Sequence, residues 1–261
     1  MNLNPFLKDR ANKTVQWLPT DSEENYHLPN LYTPDSFNYT FNECGLRCDS
    51  FDLTSELPIV FLGCSYTEGI GLPIEEVWSH LLLEKIQKST GKKIPYWSLA
   101  LGGKGLDNQV KMLYDFIKTH SVKYIFCLFP ASGRRDFCYG AEPEKTWMPN
   151  PILHTNPLPH LINDLFSDPY YIRHEDYRSL MLLDSIRIIQ QAHVVASSWR
   201  HNDINDELFK NFPEIKFFQP TFLSWGDATR RGDKARDNQH PGAKYHESVA
   251  SVFWNKVKHL F

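Results

Sequence analysis

The chain has 261 residues, 41% of them apolar and 23% charged, which excludes wholesale disorder and supplies a sizeable core for one large α/β domain or two small ones. Its formal net charge is −3 and no Lys/Arg-rich run occurs, so neither composition nor patterning provides a nucleic-acid surface. Five cysteines, an odd number without a regular framework, fit a reducing compartment better than a disulfide scaffold.

The N-terminus, MNLNPFLKDRANKTVQW, lacks the apolar core of a signal peptide, and no stretch approaches the ~18 apolar residues of a membrane span. The expectation is a cytoplasmic protein, with association with a virion as the other setting. Residues 1–56 are polar, aromatic and punctuated by Pro5, Pro19, Pro29 and Pro34, and read as an irregular arm that wraps the domain or meets a partner. The main domain is expected over 57–261. It opens with PIVFL (58–62), a short continuous apolar run that ends at Gly63 as a buried parallel strand does.

A helix follows over 75–89, where Val77, Trp78, Leu81, Leu82 and Ile86 recur at helical spacing, and a strand over 94–99. Leu106, Val110, Leu113 and Ile117 form one stripe of an amphipathic helix. VKYIFCLF (122–129) is the strongest strand signal. Residues 141–170 carry Pro143, Pro149, Pro151, Pro157, Pro159 and Pro169 and read as an insertion or lid. A helix is predicted over 177–191, strands over 193–197 and 215–218, and a final helix over 243–260. Five apolar strands alternating with helices predict one doubly wound, three-layer α/β domain with a five-stranded parallel, flavodoxin-like sheet.

In such a sheet, reactive groups lie beyond the carboxyl ends of the strands, which directs attention to three segments. GCSYTEG (63–69) follows the first strand. Ser65 there either exposes a nucleophilic hydroxyl next to backbone N–H groups or simply caps a turn. SLALGGKGLDN (98–108) follows the second strand. Gly103 either lends its N–H to an oxyanion or belongs to an ordinary glycine turn, and the spacing fits neither the dinucleotide fingerprint nor the Walker pattern. RDNQHPG (236–242) precedes the last helix. Asp237 and His240 lie three apart, so a tight loop turns the carboxylate toward the imidazole, unless both are solvated loop side chains.

In order and spacing, the three segments together resemble those of the SGNH hydrolases, or GDSL-type esterases, from about Pro58 to Phe261. NECGLR (42–47) is similar to the N-x-x-G-x-R segment that often precedes the first block in carbohydrate-directed members. The resemblance implies Ser65 as nucleophile, His240 as base, Asp237 as orienting acid, and the Ser65 and Gly103 N–H groups as oxyanion donors. Cys44 and Cys48 with the eleven histidines offer no tight metal-ligand spacing, so no metal is expected, nor any cofactor. Two departures stand out. Cys64 occupies the family's Asp position between Gly and Ser. The G-x-N-D segment after the third strand is replaced by FPASGRRDF (129–137). Ser132, Arg134 or Arg135 then supplies the missing donor, the arginines bind an anionic substrate, or both are solvated charges.

The resemblance implies a serine esterase acting on an ester of a small molecule or glycan, with an O-acetyl group on a carbohydrate as the specific expectation. The alternatives are a sugar O-acyltransferase and a non-catalytic glycan-binding or virion module on a hydrolase fold. Trp147, Tyr170, Tyr171, Trp199 and Trp225 fall in loop-like stretches, as peripheral packing or as sugar-stacking faces. Arg231-Gly232-Asp233 reads as a surface turn, and His193 as a satisfied core histidine.

Overall fold

The computed structural model describes residues 5–28, 30–130, 137–138, 146–147, 169–199, 206–222 and 224–261. At its centre are five parallel strands: β1 (Ile59–Gly63), β2 (Trp97–Ser98), β3 (Tyr124–Phe129), β4 (His193–Ser198) and β5 (Ile215–Phe217). Their spatial order is β2-β1-β3-β4-β5, the doubly wound arrangement expected from the alternating pattern.

The apolar runs follow from burial of both faces. Val60 and Leu62 of β1, with Ile125, Cys127 and Phe129 of β3, enter one core, while Ile59, Phe61, Tyr124, Phe126 and Leu128 enter the other. Because successive side chains alternate faces, a strand buried on both sides has no polar positions. The first core is closed by α3 (Leu106–Phe116) and α4 (Pro169–Gln190), which pack together, and the second by α2 (Trp78–Thr90) and α5 (Ala243–Val257). A single turn, α1 (Ser65–Glu68), links β1 to the segment leading into α2.

β2 and the start of α4 depart clearly from the sequence-based expectation. β2 covers only two residues of the expected 94–99, because Pro95 has no N–H to donate and the neighbouring amides are taken by side chains. Ile94 N–H donates to Gln87 Oε1 (2.9 Å) and Tyr96 N–H to Asp49 Oδ2 (2.8 Å). α4 starts at Pro169 instead of Tyr177, with proline in the first turn where its missing N–H costs nothing. The helix thus takes the end of the expected insertion, and most of 141–168 lies outside the described residues. Trp147 falls in a two-residue ribbon strand and Tyr170, Tyr171 and Trp225 in helices, whereas Trp199 lies in the loop after β4, as expected, and is buried there. His193 is exposed at the start of β4, contrary to the core role read for it.

Residues 5–56 pack against the domain. Thr14–Val15 pairs antiparallel with Tyr39–Thr40, Leu7, Leu46 and Phe51 enter the first core, and Leu18, Tyr39 and Phe41 pack on Ile70. Cys44, Cys48, Cys64 and Cys127 are free thiols. Among the described residues no helix is long and apolar enough to cross a membrane.

His246 of α5 is fully buried, and burial, assisted by the nearby His240, pushes its pKa from 6.5 down to about 3. Its neutral Nδ1 accepts the Trp78 N–H (3.1 Å) at the start of α2, tying the two helices. A histidine depressed in the folded state stabilises fully above its unfolded pKa, and that stability is lost as pH falls through the window from about 6.5 to about 3. The acid-side loss of stability should therefore include a contribution on the order of a few kcal/mol from this residue. His246→Asn, which keeps an acceptor but does not titrate, should flatten the fall in Tm between pH 7 and 4. An unchanged slope would remove His246 from that role.

Candidate active site

β1 delivers the chain to α1 through Gly63 and Cys64. A Cβ on Gly63 would lie 1.8 Å from Thr67 Oγ1, so only glycine lets the turn fold back onto the strand. Cys64 C=O accepts the N–H groups of Thr67 (2.9 Å) and Glu68 (2.9 Å), and Trp78 Nε1–H fixes Thr67 Oγ1 (3.1 Å). Ser65 is therefore the first residue of a short, tightly held turn at the carboxyl end of β1. Its hydroxyl has the Cys64 sulfur at 4.0 Å as its polar neighbour.

The Asp237–His240 pair forms as the spacing requires. Asp237 Oδ1 accepts the N–H groups of Gln239 (3.0 Å) and His240 (2.9 Å), which wraps the loop around the carboxylate. Its Oδ2 lies 2.5 Å from His240 Nδ1. The Asp237 side chain is 0% exposed and that of His240 14%, so the acid is shielded while the imidazole keeps access to solvent. An acceptor this close at Nδ1 places the proton there and leaves Nε2 with its lone pair.

Two contacts bring this loop to the Ser65 turn. The Tyr66 ring, next in sequence to Ser65, meets the His240 imidazole edge-on at a centroid distance of 5.6 Å. Arg236 N–H donates to Gly71 C=O (2.8 Å), and a Cβ on Gly71 would sit 2.6 Å from the Ala235 Cβ and 3.3 Å from Asp237 Oδ1. Gly71 is the residue that lets the two segments close. Behind the loop, Asp233 caps α5: its carboxylate accepts the N–H groups of Lys244 (3.2 Å) and Tyr245 (2.7 Å). Arg231 and Gly232 form the exposed turn expected of them, while Asp233 is buried.

The glycine turn after β2 also converges here. Gly103 has φ +76°, a left-handed conformation suited to glycine. Gly102 packs against the serine: a Cβ on it would lie 3.6 Å from the Ser65 Cβ, 2.9 Å from Glu68 Oε2 and 2.8 Å from Ile70 Cδ1. Among the described residues no hydrogen bond occupies the N–H of Ser65 or of Gly103. Ser132, Arg134 and Arg135 lie outside the described residues.

The supports of the site are not marked as such by any motif. Arg236 is a front residue of a motif by sequence, yet it is fully buried and ion-paired to Asp21 of the arm (2.7 Å). Arg47, noticed only within NECGLR, is buried against the Tyr39 ring (4.5 Å) and donates to the carbonyls of Glu68 (3.2 Å), Gly69 (2.6 Å) and Leu72 (2.7 Å). Burial pulls its pKa down, and these carbonyls are what replace its water. The polar residues in an otherwise aromatic arm were the available signal. Among the described residues no group of His, Cys, Asp and Glu is arranged to hold a metal.

No protein-family model matches the sequence, and no curated protein matches it significantly. Solved structures do match. The esterase EstA from Pseudoalteromonas sp. is 13% identical with TM-score 0.51, over 78% of this chain and 98% of that one. A two-domain esterase described as active on acetylated mannans is 11% identical with TM-score 0.50, and the matched 78% of this chain spans only 49% of that protein. At these identities the likeness is one of fold alone, an α/β fold shared with the esterase EstA.

Proposed function

We propose that the protein is an SGNH-type serine ester hydrolase. One observation carries the reading: a buried carboxylate, Asp237, lies 2.5 Å from His240 Nδ1 on a loop that docks against the turn presenting Ser65. Ser65 Oγ attacks the ester carbonyl and His240 Nε2 takes its proton. The Nδ1–H···Asp237 bond holds the tautomer and stabilises the imidazolium. The N–H groups of Ser65 and Gly103, unengaged among the described residues, face the oxyanion. The alcohol leaves with the proton returned by His240, and water, activated by the same base, releases the acyl group. Cys64 in the family's Asp position takes no part in these steps.

The substrate class is a carboxylic ester, and the finer reading is an O-acetyl group on a carbohydrate. It is supported by the fold shared with an esterase active on acetylated mannans. EstA was captured inhibited by monoethylphosphonate, so a fluorophosphonate is the direct probe: it should label Ser65 here and fail on Ser65→Ala. His240→Ala should lose activity about as severely as the serine variant, and Asp237→Asn by about 10⁴ in kcat. The two losses should not multiply, because a misplaced imidazole and an absent one disable the same step. A double variant whose loss equals the product of the single losses would separate Asp237 from His240. Release of acetate from acetylated mannan, compared with acetylated xylan and a short aryl ester, assigns the alcohol.

A further inference from the structure

We propose that Glu68 is a positioning residue for the oxyanion site, its buried carboxylate fixing the Gly102–Gly103 turn so that the Gly103 N–H meets the oxyanion formed at Ser65. The inference rests on the esterase reading and deepens it.

Glu68 closes α1, three residues after Ser65, and is 3% exposed. A carboxylate that far from water is costly unless each oxygen is compensated. Here both are. Oε2 accepts the Gly102 N–H at 2.6 Å, and Oε1 receives the guanidinium of Arg10, which crosses from the arm and lies 4.0 Å over the Phe41 ring. The Glu68 carbonyl is held in turn by Arg47 (3.2 Å). Its place in the molecule is thus set from both sides.

What Glu68 holds is the turn bearing an oxyanion donor. Gly102 fits between the Glu68 carboxylate, the Ile70 side chain and Ser65 with no space for a Cβ. Gly103 follows at φ +76° with its N–H unengaged among the described residues. Because Glu68 and Ser65 belong to one turn of helix, a bond from Glu68 to Gly102 fixes nucleophile and oxyanion donor in one frame. An oxyanion donor acts only when it sits about 2.7–3.1 Å from where the charge develops. A turn tethered to the nucleophile's own helix meets that demand without reorganisation. A bond that served only to attach the arm would need Arg10 and Glu68 but not Gly102.

The test compares Glu68→Ala, Glu68→Asp and Glu68→Gln with wild type. A misplaced turn costs on the order of 10–100-fold. Glu68→Ala and Glu68→Asp, the latter too short by a methylene to reach Gly102, should lose that much in kcat per fluorophosphonate-titrated site, with KM within twofold. Affinity for an alkylboronic acid, which binds as a tetrahedral adduct, should fall by the same factor. Glu68→Gln retains an acceptor and should recover most of both. Amide exchange at Gly102 should accelerate in Glu68→Ala and not in Glu68→Gln. If Glu68→Ala does not fold, Glu68→Asp carries the comparison. A fall in Tm with kcat and boronate affinity unchanged in a labelling-competent enzyme overturns the inference and leaves the esterase reading intact. A wild-type protein that neither labels nor binds boronate overturns the esterase reading, and the inference with it, whatever the exchange rates.

Discussion

Ser65→Ala should abolish turnover of an activated ester, by roughly 10⁴–10⁶, while leaving the fold and its stability almost unchanged. The loss of turnover follows from the proposed role of Ser65, and the retained stability from the structure. Among the described residues the hydroxyl's polar neighbour is the Cys64 sulfur at 4.0 Å, a weak partner, so its removal breaks no strong hydrogen bond there. Ser65 is also not the residue that shapes its own turn. Gly63, Thr67 and the Cys64 carbonyl do that, through contacts the alanine variant keeps. A residue important for folding would show the reverse pattern, with loss of Tm first and activity following the folded fraction. Initial rates, thermal melts and fluorophosphonate labelling on the same preparations separate the two. More than a tenth of wild-type turnover in the alanine variant, with labelling retained, would move the nucleophile elsewhere.

How much of this was legible in the sequence follows from how local each determinant is. β1 and β3 were plain because strands buried on both faces leave uninterrupted apolar runs, and Asp237–His240 because three residues of loop suffice to join them. β2 is shorter than its apolar letters suggest, because Pro95 has no N–H and two amides are captured by Gln87 and Asp49, the latter far away in sequence. The start of α4 was missed because its first residues sit in a proline-dense stretch, where Pro169 is compatible with a helix only in the first turn. Gly102 and Gly103 are adjacent letters. Only the packing of Glu68 and Ser65 against the first distinguishes their tasks. The buried arginines 47 and 236 were least legible of all, since their partners are mostly backbone carbonyls, which the sequence does not mark.

Asp21→Ala should be among the most destabilising single changes in the arm. Asp21 and Arg236 are both 0% exposed, and the carboxylate receives Arg236 Nε (3.1 Å), Arg236 Nη2 (2.7 Å) and the Tyr39 hydroxyl (2.5 Å). Removing one partner of such a pair strands the other charge, a cost of about 3–5 kcal/mol, whereas an exposed pair such as Lys92–Glu56 is screened by water and contributes little. The guanidinium would retain the carbonyls of Gln16 (2.5 Å), Pro34 (2.7 Å) and Phe37 (3.2 Å) and the faces of Trp17 (4.2 Å) and Phe37 (4.0 Å). Those dipoles and rings partly solvate the charge but do not neutralise it, which places the expected loss nearer 3 kcal/mol than 5. At about 2–4 °C per kcal/mol for a chain of this size, Tm should fall by roughly 6–12 °C. Asp21→Asn keeps an acceptor for the guanidinium and for Tyr39 while deleting the charge, so the gap between the two variants measures the hydrogen bonds apart from the ion pair. Arg236→Met should not be the mild change that an apolar replacement of a buried ion often is, because it leaves three arm carbonyls and Asp21 without their donor. Since Arg236 is followed directly by Asp237, kcat of Asp21→Ala measured well below its Tm should also fall, with KM little changed. Urea denaturation of the three variants decides the ledger. Asp21→Ala within 1 kcal/mol of wild type would mean that the arm is held by its apolar contacts alone, through Leu7, Leu46, Phe51 and the Tyr39–Phe41 cluster.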